Sequence, residues 1–371
     1  MTSKLSSLCS YVKEKISTKT LSRQNYISTE NMMPNKGGIV GANSLPSIPY
    51  TQQYAKGDVL FSNIRPYFKK IWIAENDGGC SNDVLVFRAV HGCDPTFLYY
   101  VLSSNAFFDY ATATAKGTKM PRGDKAAIMQ YEVPCFDYET QLRIGKLLKC
   151  FDDRIVTNQK INDNLLQQAQ ALFKSWFVDF EPFSNQKPSD WSVSTLGNVS
   201  IMGAGGDKPQ NVSPIKSNLC QYPIYSNGLS EEGLYGFTDK PKIFKESVTV
   251  SARGTIGFVC LRHIPYVPIV RLVTLIPKTE IISAKYLYLW LKQLHITGTG
   301  TTQQQLTVPD FRKTEILVPS QEIVTLFTAT VEPIFKKIWA NQNENEKLSS
   351  LRDTLLPKLM SGELDVSDID L

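Results

Sequence analysis

Arg65 and Arg253 are the side chains of this 371-residue chain best suited by type and position to read a polar surface. Each follows a short β-branched and aromatic run, Val59-Leu60-Phe61-Ser62 in one case and Val248-Thr249-Val250-Ser251 in the other. A guanidinium is a rigid fork of N–H donors that matches guanine O6/N7 or a phosphate. In the module of the first run the other candidates are Asn63, Lys69, Lys116, Lys119 and Arg122; in that of the second they are Ser251, Thr255, Thr302, Gln303 and Gln304. Asn and Gln suit adenine edges, while Lys, Ser and Thr suit phosphate oxygens. These residues are the candidate DNA contacts. Any one lysine is more often a solvated surface charge. The two arginines carry more weight because they occupy corresponding places, although a structural role bonding strand ends stays open for Arg65.

Covalent chemistry is harder to find. An adenine methyltransferase needs an Asn/Asp-Pro-Pro-Tyr-like loop and a glycine-rich cofactor turn. Ser47-Ile48-Pro49-Tyr50 and His263-Ile264-Pro265-Tyr266 come near it, but neither has the carboxamide or carboxylate followed by Pro-Pro. They read as proline turns beside aromatics. No G-x-x-x-x-G-K-[ST] phosphate loop, H-E-x-x-H or G-x-S-x-G motif occurs. Gly203-Ala204-Gly205-Gly206 precedes no strong helix and reads as a loop rather than a nucleotide cradle. Seven cysteines (Cys9, Cys80, Cys93, Cys135, Cys150, Cys220, Cys260) form no CxxC pair, and three histidines (His91, His263, His295) are scattered, so no metal site is expected. Reduced cysteines and the lack of an apolar leader or membrane-length apolar run point to a cytoplasmic protein. The net charge of +5 is compatible with nucleic acid without requiring it.

The elements that position these residues come in two copies. Asn158-Gln159 recurs as Asn341-Gln342, an offset of 183, and the same offset links Gly117-Thr118 to Gly300-Thr301, Ile155 to Ile338, Asn162 to Asn345 and Leu172 to Leu355. A period this long suggests a duplicated domain-plus-helix unit rather than a solenoid. Such a chain can present two modules in a pseudo-two-fold arrangement, suited to a partner with its own approximate two-fold symmetry, for which DNA leads.

Residues 139–178 carry a seam at heptad spacing: Leu148, Phe151, Ile155, Asn158, Asn162, Leu165, Ala169, Leu172 and Trp176. It recurs as Val331, Ile334, Ile338, Asn341, Asn345, Leu348, Arg352, Leu355 and Leu359. Two long helices running antiparallel follow, with Asn158 and Asn162 near Asn341 and Asn345. Buried asparagines there would set register. Ser320 is the expected N-cap of the second helix, Pro333 should kink or open it, and Ser361-Gly362 should stop it. An acidic tail with Asp365, Asp368 and Asp370 should fray.

Residues 1–137 and 190–319 read as α+β modules. Strands are expected at 58–62, 71–73 and 83–87, then at 247–251, 257–261 and 271–276. One aromatic-rich helix is expected in each module, at 96–108 and 284–294. The resulting partition is 1–137, a spacer helix 138–180, a linker 181–189, 190–319, a second spacer helix 320–361, and a frayed tail 362–371.

The segments KGDVLFSNIRP, KESVTVSARGTIG, AKGTKMPR, GTGTTQQQL, VPCFDYETQLRIGKLLKCFDDRI and the ending LSSLRDTLLPKLMSGEL carry a resemblance over nearly the whole chain. It resembles the specificity subunit of type I restriction–modification enzymes. The resemblance implies two target recognition domains joined by two antiparallel coiled-coil helices. Each domain would read one half of a split site in double-stranded DNA. The helices would set the gap and dock two adenine methyltransferase subunits, which motor-nuclease restriction subunits join. It implies no catalysis and no cofactor in this chain, S-adenosylmethionine, ATP and magnesium being held by partners. The family often opens a module with a Trp-containing stretch such as DWSVSTLGNVS, present at 190–200, whereas MTSKLSSLCSYVKEKIS lacks the tryptophan, leaving the first module's edge open. Readings from other classes are a DNA methyltransferase fused to recognition, or a coiled-coil scaffold with no nucleic-acid role.

Overall fold

The computed structural model describes residues 2–298, 305–367 and 369. The chain divides into two compact units, Met1–Gln159 with Gln342–Leu371, and Lys160–Asn341. Both are α+β and repeat one plan.

In the first unit, Thr2–Lys4 pairs antiparallel with Glu132–Pro134. A four-stranded antiparallel sheet then runs in the order Cys9–Tyr11, Val84–Ala89, Val59–Ser62, Ile71–Ile73. The expected strands of this module appear in it. Every residue of Val59–Ser62 is buried, because both faces of the strand are covered. Side chains alternate across a strand. Val59 and Phe61 therefore enter the core formed with the helices, while Leu60 joins Tyr54, Cys80, Val84 and Val86 on the other face. A second four-stranded sheet, Lys15–Ser17, Tyr50–Tyr54, Gly78–Cys80 and Tyr26–Ile27, covers that face.

The second unit repeats this frame. Ser192–Thr195 pairs with Glu315–Val318, and an antiparallel sheet runs Ser200–Ala204, Val273–Pro277, Ser247–Val250, Val259–Arg262. Its smaller sheet has three strands, Leu234–Thr238, Tyr222–Tyr225 and Val267–Pro268. Trp191, absent from the first module, is buried against Phe177, Phe180 and Phe183. The proline-rich segment after the first long helix is thus pinned by tilted and edge-to-face ring contacts.

The long helices are Tyr138–Phe177 and Gln321–Ser361. Every residue of both seams is buried or half-buried. Within the first unit Arg154 bonds Glu344, and Arg352 bonds Asp152, which also accepts the Tyr100 hydroxyl at 2.7 Å. Within the second, Phe173 and Phe177 pack on Phe327. Each unit therefore contains an antiparallel stretch of the two helices.

Two expectations are corrected and a third is refined. The helix expected at 96–108 is two helices, Pro95–Ser103 and Asn105–Ala113, because Ser104 adopts an extended backbone and its hydroxyl caps the second by accepting from Phe107 N. Pro333, expected to kink or open the second long helix, lies within an unbroken Gln321–Ser361; it offers no N–H to the Ala329 carbonyl, and because both residues are exposed water can serve that oxygen. Among the described residues, the tail after Gly362 packs rather than frays. Val366 is 2% exposed, Ile369 packs on the first core, and Arg143 donates to the carbonyls of Ser367 and Ile369. Asp368 and Asp370 lie outside the described residues.

Candidate nucleic-acid interface

The loop after Val59–Ser62 is tied to the segment 116–123. Arg65 N donates to Pro121 O at 2.8 Å and Gly123 N to Asn63 O at 3.1 Å, and bridges join Ile64 to Arg122 and Lys116 to Arg122. Asn63, Arg65, Lys116 and Arg122 are thereby brought together. Arg65 and Lys69 both take left-handed backbone conformations, with φ of 49° and 52°, on either side of the short turn Pro66–Phe68. Such conformations are uncommon for residues with a Cβ and mark a turn held by its surroundings. Lys69 Nζ donates to Asn105 Oδ1 at 2.8 Å. Lys116 pairs with Asp124, and Arg122 with Asp83 at 3.1 Å. Lys116 and Arg122 are largely exposed in these pairs, so a phosphate can compete for them at little cost. The Asp124 carboxyl is held below its usual range by Lys116 first and by the Ala127 and Ala126 amides next. Lys119 stands exposed on the same segment.

The corresponding loop of the second unit joins Ser247–Val250 to Val259–Arg262. Ser251 N donates to Phe258 O and Gly257 N to Ser251 O, each at 3.0 Å. Gly257, at φ +86°, is required there because a Cβ would lie 2.8 Å from Ile296 O. Arg253 and Thr255 are exposed at the tip. Thr302, Gln303 and Gln304 lie outside the described residues.

Two of the candidate contacts are buried. Asn63 is 5% exposed and Ser251 2% exposed. The Ser251 hydroxyl donates to Thr255 O and accepts from Phe258 N, so it shapes the loop. Asn63 contributes its backbone to the tie with Gly123, and its Oδ1 is buried with no partner among the described residues.

Residues that sequence reasoning passed over also hold these loops. Asn227 accepts the Ala252 N–H at 2.7 Å and donates to Val270 O at 2.6 Å. Gln305 Oε1 accepts from Arg253 at 3.0 and 3.2 Å. Gln305 could have been noticed, since it directly follows the candidates Thr302, Gln303 and Gln304; nothing in the sequence marks Asn227.

The seam asparagines pair across the helices inside each unit. In the first, Asn158 Nδ2 donates to Asn345 Oδ1 at 2.9 Å. In the second, Asn341 Nδ2 donates to Asn162 Oδ1 at 2.8 Å, and Asn162 donates to Ile338 O at 3.4 Å. Asn158 and Asn341 are the deeply buried members, both 0% exposed. The 183-residue offset maps one bond onto the other: each inner asparagine donates to an outer one. Among the described residues no three His, Cys, Asp or Glu side chains group as a metal would need, and no helix is long and apolar enough to cross a membrane.

The family model for the type I restriction modification DNA specificity domain matches residues 1–167 and again 188–350. The chain belongs to that family. Each specificity-domain match covers one α+β module and most of the helix after it, which is the duplicated unit described above. The chain is 27% identical over 434 aligned residues to the type I restriction enzyme HindI specificity subunit of Haemophilus influenzae, covering 91% of this chain and 94% of that one. It is 26% identical over 354 residues to the MjaIX specificity subunit of Methanocaldococcus jannaschii, covering 85% and 79%. The type I restriction–modification S subunit of M. genitalium shares the fold, with a TM-score of 0.57 at 19% identity over 97% of this chain and 96% of that one. This chain is thus a type I specificity subunit, a DNA-recognising and non-catalytic member of its system.

Proposed function

We propose that this specificity subunit reads a split target in double-stranded DNA, the module at 1–137 taking one half and the module at 190–319 the other. The observation that carries this reading is the repetition of one loop on one frame. Val59–Ser62 and Ser247–Val250 hold the same place in equivalent four-stranded sheets, and each leads into an arginine loop. Arg65 and Arg253 contact base edges in this reading, with Lys69, Lys116, Lys119, Arg122, Thr255, Thr302, Gln303 and Gln304 reaching bases or phosphates. Asn63 and Ser251 hold the loops from beneath. The two long helices fix the gap between half-sites, and the asparagine pairs fix their register.

The subunit in this reading needs no cofactor of its own and works in the cytoplasm. It directs two methyltransferase subunits and, through them, restriction subunits to the target. The test is footprinting of the assembled methyltransferase complex with Arg65→Ala and Arg253→Ala variants. Each variant should lose discrimination in one half of the site and keep it in the other. Equal loss in both halves from either variant would contradict the division of labour.

A further inference from the structure

We propose that Gln305 is a positioning residue that holds the Arg253 guanidinium with its outer edge presented for end-on, bidentate recognition of a guanine. The inference rests on the reading of Arg253 as a DNA contact and adds a second residue and a base to it.

Geometry carries the argument. Arg253 donates to Gln305 Oε1 through both Nε, at 3.2 Å, and Nη2, at 3.0 Å. A guanidinium has five N–H bonds in a fixed plane. The amide oxygen takes the side edge, formed by Nε and Nη2. The opposite end, formed by Nη1 and the remaining Nη2 hydrogen, keeps two parallel N–H bonds, the arrangement that matches O6 and N7 of guanine. The acceptor is a neutral amide, so the arginine keeps its full positive charge toward the DNA. A carboxylate at the same place would neutralise it.

The backbone on both sides of the pair is clamped. Ala252 N donates to Asn227 Oδ1 at 2.7 Å, and Ala252 O accepts from Leu306 N at 3.0 Å. The residue before Arg253 is therefore bonded to the residue after Gln305, and the two side chains start from fixed, adjacent Cα positions. Arg253 is exposed while Gln305 is half-buried, so the bonded edge of the fork is the one turned toward the protein. Holding a long, exposed arginine in one plane removes rotamer freedom before binding, and preorganisation of this kind sharpens a directional contact more than a point-charge one. A phosphate, which accepts from many directions, gains less from it than a guanine edge does.

The test uses the assembled methyltransferase complex on the duplex that methylome sequencing assigns to this chain, on its single-base variants, and on duplexes with 7-deazaguanine at each guanine in turn. Gln305→Ala should lower discrimination at one G·C position by about tenfold while changing nonspecific affinity less than about twofold. The same guanine should be the one whose 7-deaza replacement weakens the parent complex and leaves Arg253→Ala unaffected. In the Arg253→Ala background, Gln305→Ala should add nothing. Gln305→Glu keeps the acceptor and should retain discrimination at that position while binding more weakly to all DNA. Uniform loss across all sequences, additivity of the two alanine variants, or loss of discrimination in Gln305→Glu would overturn the positioning role. Loss of phosphate contacts, seen as a lower salt slope without any change in base preference, would overturn the guanine assignment. If Arg253→Ala itself binds normally, the underlying reading of Arg253 fails; if only Gln305→Ala is silent, the present inference fails alone.

Discussion

Replacing the Asn158–Asn345 pair with isosteric leucines should give opposite signs at the two positions. Asn158 is 0% exposed, and its Oδ1 has no partner among the described residues. Asn345 is half-buried and accepts the Asn158 amide at 2.9 Å. An unmet buried polar group costs about 1–3 kcal/mol. Asn345→Leu strands the Asn158 Nδ2 as well as its Oδ1, so the first unit should lose about 1–3 kcal/mol. Asn158→Leu removes the unmet acceptor, and the half-exposed Asn345 can turn to water for about 1 kcal/mol, so this variant should be neutral or more stable. The double variant should be the most stable of the four proteins, with a coupling between sites of about 2 kcal/mol. The assay is a double-mutant cycle read by thermal unfolding, where each kcal/mol moves the midpoint by about 2–4 °C for a unit of this size. Hydrogen exchange in the flanking helix segments places the effect. A clear loss of stability in Asn158→Leu would refute the reasoning, because it would mean the acceptor is satisfied in solution. The double variant should also relax helix register, since apolar seams slide more freely than seams with a polar pair.

Three further outcomes are expected. Arg352→Ala removes the partner that Asp152 has across the helix pair and leaves it the Tyr100 hydroxyl; because both charges keep some solvent contact, the loss in urea melts should be about 2 kcal/mol rather than the about 3–5 of a fully buried pair. His263 stacks on Trp339 at 4.1 Å, and burial, with Lys285 and Arg262 adding repulsion, pulls its pKa down to about 4. The folded state then binds fewer protons than the unfolded state between about pH 6.5 and 4, so stability supplied by the neutral ring is present above that window and is lost as pH falls through it. An NMR titration midpoint near 6.5 would contradict it. Inserting one heptad into both long helices, about 10 Å of rise, should lengthen the recognised spacer by about 3 base pairs with both half-sites unchanged; an unchanged spacer would contradict the ruler.

The helix seams were legible because an apolar period of 3.5 residues sustained over many turns is the mark of a helix packed lengthwise on another, and because asparagines at matched positions survive in both copies. The large sheet was legible for a similar reason, since Val59–Ser62 and Ser247–Val250 are dense in β-formers. The second sheet of the first unit was not. Gly78 and Gly79 carry no side-chain pattern, and the need for Gly78 arises only when Tyr54 and the Asn25 carbonyl fill the space a Cβ would take. Ser104 was missed because a local cap outcompeted a continuous helical pattern. Asn63 and Ser251 show the same limit at the candidate interface. Residue type suggested contact, but strand-end burial turned both inward. Gln305 escaped because its role depends on a bond to a residue 52 positions earlier in the chain.

The most direct test of the split-site account is a comparison of adenine methylation across host genomes with this gene present and deleted. The account predicts a gene-dependent motif of two short defined segments separated by a spacer of fixed length and free sequence. A single contiguous motif, or methylation that is unchanged on deletion, would contradict it.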